Sequence, residues 1–196
     1  MNIILASASP RRAEILRNAG IPFETLAEII DESRRPGELR ADYVRRVALT
    51  KARAAASVQR DPGDSLFIGA DTVVVAGDEI LGKPESADDA RRMLRLLSGT
   101  EHEVHTGLAV IRRPGAMEAV VEEVTGVTFA ALSDDDIEAY IATNEPFDKA
   151  GAYGIQGIGG RYVTRIDGCY FNVMGLPLAR LWSLLREFGW KEGPTG

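Results

Sequence analysis

The sequence predicts an α/β fold, a single domain with a mixed twisted sheet flanked by helices, and three observations carry that prediction. Short apolar runs bounded by turn residues alternate with segments of helical periodicity. Gly77-Asp78 joins two apolar runs as a two-residue hairpin turn. Capping residues stand ahead of the periodic segments, at Ser9, Ser86 and Ser133. With 196 residues, 45% of them hydrophobic, the chain fills one core well and is short for two. One domain over residues 1–190 is expected, followed by a frayed tail at 191–196.

The elements follow in order. Ile3–Ala6 reads as a short buried strand, after which Ser9 as N-cap and Pro10 at the first helical position open a helix that stops at Gly20. A second helix fits Leu39 to about Ser57. Leu66–Val75 is a strand, and the turn at Gly77-Asp78 leads into Ile80-Leu81. Ser86 with Asp89 starts a helix closed by Gly99. Strands at about Glu103–Ile111 and Ala119–Ala130 flank Pro114-Gly115. Ser133 with Asp136 opens a further helix through Ile141. A Gly-rich segment follows, then a strand pair around Asp167-Gly168 and a last helix from Pro177 to Gly189.

Composition narrows the function. The single cysteine, Cys169, leaves no intramolecular disulfide and favours a reducing compartment. No targeting segment opens the chain and no apolar run approaches the roughly 20 residues that span a bilayer, so a soluble cytoplasmic protein with no membrane partner is expected. A net charge of −6 disfavours a nucleic acid polymer as ligand. The charge is uneven: residues 1–60 carry 11 basic and 7 acidic side chains, the remainder 12 and 22. A local basic surface on an acidic chain suits a small phosphorylated ligand.

Five constellations could carry chemistry. Ser7-Ala8-Ser9-Pro10 leads from a strand into a helix whose first turn holds Arg11 and Arg12. Backbone N–H groups and the helix dipole attract anions there, although Ser-Pro also opens helices that bind nothing. Asp71 interrupts a strand otherwise built for burial and needs a partner or a cation, unless an edge or a bulge at Gly69 exposes it to water. Carried back from the turn, the hairpin register pairs Val74 with Leu81 and Thr72 with Lys83, which would set Lys83 beside Asp71. Lys51 falls on the buried stripe Val44, Val47, Ala48, Lys51, Ala55; the bland alternative is a stem that packs while the ammonium reaches water.

The remaining two are weaker by themselves. Asp31-Glu32 offers oxygen ligands of the kind Mg²⁺ takes, yet by spacing alone these are solvated loop charges. Lys149–Gly160 carries five glycines in its last ten residues, with Gln156 able to donate to and accept from a base edge; a flexible lid or a hairpin is its alternative. No Walker-type phosphate loop, Gly-x-Ser-x-Gly elbow or Cys-x-x-Cys pair is present. His102 and His105, three apart in a strand, point to opposite faces and disfavour a shared zinc site.

Taken together these segments resemble the Maf family, the septum-formation inhibitor-like proteins. The matching stretches are Leu5–Arg12, Asp31-Glu32, Lys51-Ala52, Ala70–Val73, Gly82–Pro84, Leu97–Gly99, His102, Thr106-Gly107, Lys149–Gly157 and Asn172–Pro177, in order along nearly the whole chain. The resemblance implies a deep cleft between two lobes (a Maf/ITPase-like fold), often a homodimer, and hydrolysis of nucleoside triphosphates between the α and β phosphates. It implies Asp71 as general base, with Glu32 and Asp71 holding a divalent metal cation, Mg²⁺ foremost with Mn²⁺ or Co²⁺ as substitutes. Lys51, Lys83, Ser7 and Arg11 would hold phosphates. Ala152–Gly157 looks like the dTTP/UTP-preferring branch, in which Arg12, Thr72 and Gln156 match selectivity positions. Cys169 and Met174 stand where serine and valine are more usual.

Two rivals belong to other classes. A nucleotidyltransferase also opens with a strand, a small-residue loop and basic residues, but its Gly-rich element follows an early strand, and none does here. A nucleotide-sensing regulator of cell division would bind a triphosphate without hydrolysing it.

Overall fold

The computed structural model describes residues 1–59, 63–115 and 117–191. The tail expected at the C-terminus therefore lies outside the described residues from 192 onward. Among the described residues seven strands form one mixed sheet: β1 (Asn2–Leu5), β2 (Glu24–Thr25), β3 (Ser65–Ala76), β4 (Glu79–Leu81), β5 (Glu101–Arg113), β6 (Glu118–Phe129) and β7 (Val163–Asp167). The order is β2-β1-β3-β5-β6-β7, with β4 paired to β3. β1 runs parallel to β2 and β3, while β4 and β7 are antiparallel to their partners. Among the described residues six α-helices accompany it: α1 (Pro10–Asn18), α2 (Arg40–Val58), α3 (Ala87–Leu97), α4 (Asp134–Ile141), α5 (Tyr170–Val173) and α6 (Leu178–Glu187). The mixed α/β class is the predicted one, and the long elements fall within a residue or two of expectation.

The chain divides into two compact units. The first comprises residues 1–71, 106–123 and the chain from Gly175 on. Its sheet-facing helix, α2, presents Ala48, Ala52 and Ala55, fully buried with Ile4, Ala6, Phe67, Ala109 and Ile111. Alanine on this stripe keeps the helix surface low, so the helix backbone can settle directly on the strands.

The second unit comprises residues 72–105 and 124–174. Its core joins Met93, Leu94 and Leu97 of α3 with Ile137, Tyr140 and Ile141 of α4, and with Phe129, Tyr153 and Tyr162. The Ser133/Asp136 capping box closes in both directions, whereas Ser86 accepts from Asp89 N while Asp89 turns back to Glu85 N. Gly77-Asp78 makes the expected hairpin, with Ala76 opposite Glu79 and Val74 opposite Leu81.

Two expectations are corrected. β4 ends at Leu81, so the ladder stops before a Thr72–Lys83 pair. Instead Gly82 O accepts from Gly151 N at 3.0 Å, which draws the chain off β3 toward the Gly-rich segment. The strand pair around Asp167-Gly168 is a single strand, β7, followed by the helical turn α5. Asn172 is the reason: fully buried, its Nδ2 donates to Val104 O and Thr125 Oγ1, both at 2.9 Å, and Cys169 N donates to the same hydroxyl at 3.1 Å. Coiling the chain brings the buried Asn172 amino group to both of these acceptors. Among the described residues no helix is long and apolar enough to cross a membrane.

Candidate active site

In the first unit, the site begins with two glycines. Gly69 and Asp71 alternate onto the same face of β3. A Cβ at Gly69 would stand 2.0 Å from Ala48 O and 2.8 Å from Ala52 N, and one at Gly107 of β5 would stand 2.1 Å from Val44 O. Hydrogen at both positions lets α2 lie against the sheet. Gly69 thus serves close helix packing, and Asp71 is 7% exposed, not a solvated edge residue.

With α2 this close, Lys51 reaches the carboxylate. Its Nζ lies 2.8 Å from Asp71 Oδ1 and 3.0 Å from Glu32 Oε2. The lysine side chain is 13% exposed and ends between two carboxylates rather than in water. The ammonium and the Asp71 carboxylate, both largely buried, offset part of each other's burial cost, and the more exposed Glu32 adds a second negative charge beside the ammonium.

Glu32 itself belongs to an exposed connection without regular structure, and α2 holds that connection. Tyr43 OH donates to Glu32 O at 3.0 Å, and Arg46 Nη2 donates to Ser33 O at 2.9 Å. Arg46 also grips Glu38 through Nε at 2.5 Å and Nη2 at 2.8 Å, holding the Glu38 carboxyl down at about 2. Burial, then the charges of Asp71 and Glu32, push the Tyr43 phenol up to about 12. Asp31 only closes a local turn, accepting from Ser33 N at 2.9 Å. Sequence reasoning missed Tyr43, Arg46 and Glu38. The available signal was a polar row at 43, 46 and 50–51 alongside the apolar stripe of α2.

At the β1–α1 turn, Arg12 is buried and braces the backbone: Nη1 donates to Ser7 Oγ at 3.0 Å and Nε to Gly175 O at 2.7 Å. Ser9 N donates to the same Ser7 hydroxyl at 3.3 Å. Burial lowers the Arg12 pKa; the Asp71 and Glu32 charges work against that and the Arg11 charge adds to it. These four side chains therefore sit in one electrostatic neighbourhood. Ser9 caps α1 by backbone position without a side-chain bond, and no acidic residue occupies the first turn. The role of Gly175 as acceptor for Arg12 had no signal beyond its place in the Asn172–Pro177 segment.

In the second unit, Thr72 is half-buried on β3 and Lys83 is exposed two residues past β4. Gln156 is exposed at a turn between 3₁₀ turns at Ala150–Ala152 and Ile158–Tyr162, so the Gly-rich segment is tightly folded rather than a loose lid. Both histidines are buried; His102 Nε2 meets Tyr153 OH at 2.9 Å and His105 Nε2 meets Glu103 Oε2 at 3.0 Å, consistent with core roles.

The site in the first unit thus comprises a helix start with two arginines and no acid in its first turn, and a lysine held between two carboxylates. The model of the Maf-like protein family matches residues 2–188, and the chain belongs to that family. A protein of Hahella chejuensis named dTTP/UTP pyrophosphatase is 48% identical over 96% of this chain and 93% of its own length. Proteins of the same name from Anaeromyxobacter dehalogenans and Moorella thermoacetica are each 51% identical over 95% of this chain, covering 94% and 95% of theirs. Among solved structures, the Staphylococcus aureus Ham1 protein aligns over 95% of this chain and 99% of its own, at 13% identity and a TM-score of 0.46, too distant to carry an argument.

Proposed function

We propose that the protein hydrolyses nucleoside triphosphates, dTTP and UTP by preference, to the monophosphate and pyrophosphate in the cytoplasm. The observation that carries this reading is Lys51 held between Asp71 and Glu32 in the unit that also contains the Ser7–Arg12 turn. Relatives at about half identity over nearly the full length bear the corresponding name.

The donor set of the site fits a hard divalent cation. Among the described residues no group of three or more His, Cys, Asp or Glu converges on one point. Two carboxylates meeting at a cation suit Mg²⁺, which keeps waters and shares itself with substrate phosphates. Asp71 and Glu32 would hold it, and when bound it supplies charge neutralisation at the phosphates.

This chain's own residues do the rest. Arg11, the α1 N-terminus and Lys51 bind the polyphosphate; Lys83 adds a further cation. Arg12, committed to Ser7 and Gly175, holds the turn in shape. Asp71 orients a water and accepts its proton as the water oxygen bonds to the α-phosphorus. The bond from that phosphorus to the α–β bridging oxygen breaks, and pyrophosphate leaves with the electron pair. The cations stabilise charge on the equatorial and leaving oxygens, where phosphoryl transfer needs it most. Gln156 reads the pyrimidine edge, and Thr72 is a further residue of the selectivity set.

A panel of nucleoside triphosphates, scored for pyrophosphate with Mg²⁺ and again with EDTA, tests the reading. Pyrophosphate from dTTP and UTP, lost in EDTA, is expected. Release of orthophosphate alone, transfer to a sugar phosphate, or binding without product would overturn it.

A further inference from the structure

We propose that Glu145 is a positioning residue for substrate selection, clamping the turn that carries Gln156. The inference rests on the pyrophosphatase reading above and deepens it.

The clamp is built from backbone donors on both sides of Gln156. Glu145 Oε2 accepts from Ile158 N at 2.8 Å, and Oε1 accepts from Gly159 N at 3.1 Å and from Tyr140 OH at 2.8 Å. That phenol in turn accepts from Gly154 N at 3.2 Å. One carboxylate and one phenol therefore fix residues 154, 158 and 159, leaving Ile155–Gly157 as a short arch between two anchored ends. Gln156 is exposed on that arch.

The surrounding residues fit the carboxylate closely. A Cβ at Gly157 would stand 2.4 Å from Glu145 Oε2, and one at Gly159 would stand 2.5 Å from Tyr140 OH. The glycines of this segment are thus required by the clamp as well as by its turns. Lys149 secures the other end of Glu145, Nζ donating to its backbone O at 2.8 Å. Burial pushes the Glu145 carboxyl up, but the bonds from Ile158, Gly159 and Tyr140 outweigh it and leave the group below its usual range. It is an acceptor in place at neutral pH.

A side chain that reads a base edge discriminates only if its amide is held in one place; a loose amide bonds to any base. Glu145 touches no nucleotide in this reading. It acts through the arch, by restricting where the Gln156 amide can stand.

The test compares dTTP with dATP as probe. Glu145→Gln retains one carbonyl acceptor but sets an amide N–H against a backbone N–H. The dTTP/dATP ratio of kcat/KM should fall about tenfold, mostly through the KM for dTTP, with the melting temperature within a few degrees of the parent. The Ile158 and Gly159 amides should exchange faster with deuterium. In a Gln156→Ala background the same substitution should change the ratio little, because the group it positions is gone. Tyr140→Phe, which removes the acceptor for Gly154 N and a donor to Glu145, should shift the ratio in the same direction and replaces Glu145→Gln if that variant does not fold. An equal loss on both nucleotides, or additive effects in the double variant, would overturn the proposal. A parent protein that hydrolyses dTTP and dATP equally well would instead sink the selectivity reading beneath it.

Discussion

Lys51 Nζ lies 2.8 Å from Asp71 Oδ1, and the contact exists because Gly69, two residues before Asp71 on the same strand face, carries no side chain to lift α2 away. Where the two charges meet, Gly69 of the strand lies directly against the backbone of the helix at Ala48 and Ala52. The ion pair is thus a consequence of close backbone packing, and the first predictions concern both.

Gly69→Ala should destabilise the protein by about 1–3 kcal/mol or more, because the new methyl would meet helix backbone that cannot rotate aside. Gly107→Ala should behave likewise. Gly82→Ala, where nothing lies within 4 Å of the built Cβ, should be near neutral. Urea denaturation midpoints separate the three, and equal midpoints would remove the packing argument.

Asp71→Asn should keep the fold and lower kcat about 10²–10⁴-fold, the range for a lost positioned base. Pyrophosphate release measures it, and near-parental turnover would take Asp71 out of the base role.

Glu32→Gln should raise the Mg²⁺ concentration needed for half-maximal rate about tenfold, since Mg²⁺ at such sites depends on one or two carboxylates. Titration of activity with Mg²⁺ gives the value directly. An unchanged midpoint would leave Glu32 as a partner of Lys51 only.

Lys83→Ala should lower kcat/KM roughly 10- to 100-fold, as expected for one charge-assisted contact to phosphate. Steady-state kinetics with dTTP would detect this, and an unchanged kcat/KM would exclude Lys83 from the site.

His102 titrates at about 4 in the folded protein, burial having lowered it from 6.5. The unfolded chain takes up that proton first, so stability is complete above pH 6.5 and declines as pH falls toward 4, by about 3 kcal/mol in all. Below about 4 both states are protonated and the term stops growing. His102→Gln should flatten this part of the stability profile, measured by urea unfolding between pH 4 and 7.5. A difference between variant and parent that is constant with pH would contradict the assignment.

The site was only partly visible in the chain. Asp71 betrayed itself as a charge inside an apolar strand and Lys51 as a cation on an apolar helical stripe, since both violate the burial pattern of their own elements. Hairpin arithmetic assigned Lys83 as the neighbour of Asp71, and its register was correct as far as Leu81. The ladder stops there because Gly82 bonds to Gly151, a residue far along the chain. Arg12 could be read as a basic residue at a helix start, but nothing near it announced that its guanidinium would brace Gly175.

By itself, then, the sequence determined the α/β class, the helix caps at Ser86 and Ser133, the hairpin at Gly77-Asp78 and the identity of the misplaced charges. Each of these is local, set by periodicity, turn chemistry or capping over a few neighbouring residues. Tertiary structure alone decided that Lys51 meets both Asp71 and Glu32, that α5 replaces a strand where the Asn172 amino group reaches Val104 O, and that Glu145 closes on the backbone around Gln156. Those contacts join residues 13 to 68 positions apart, and a buried polar group takes whichever partner the packed chain brings within about 3 Å.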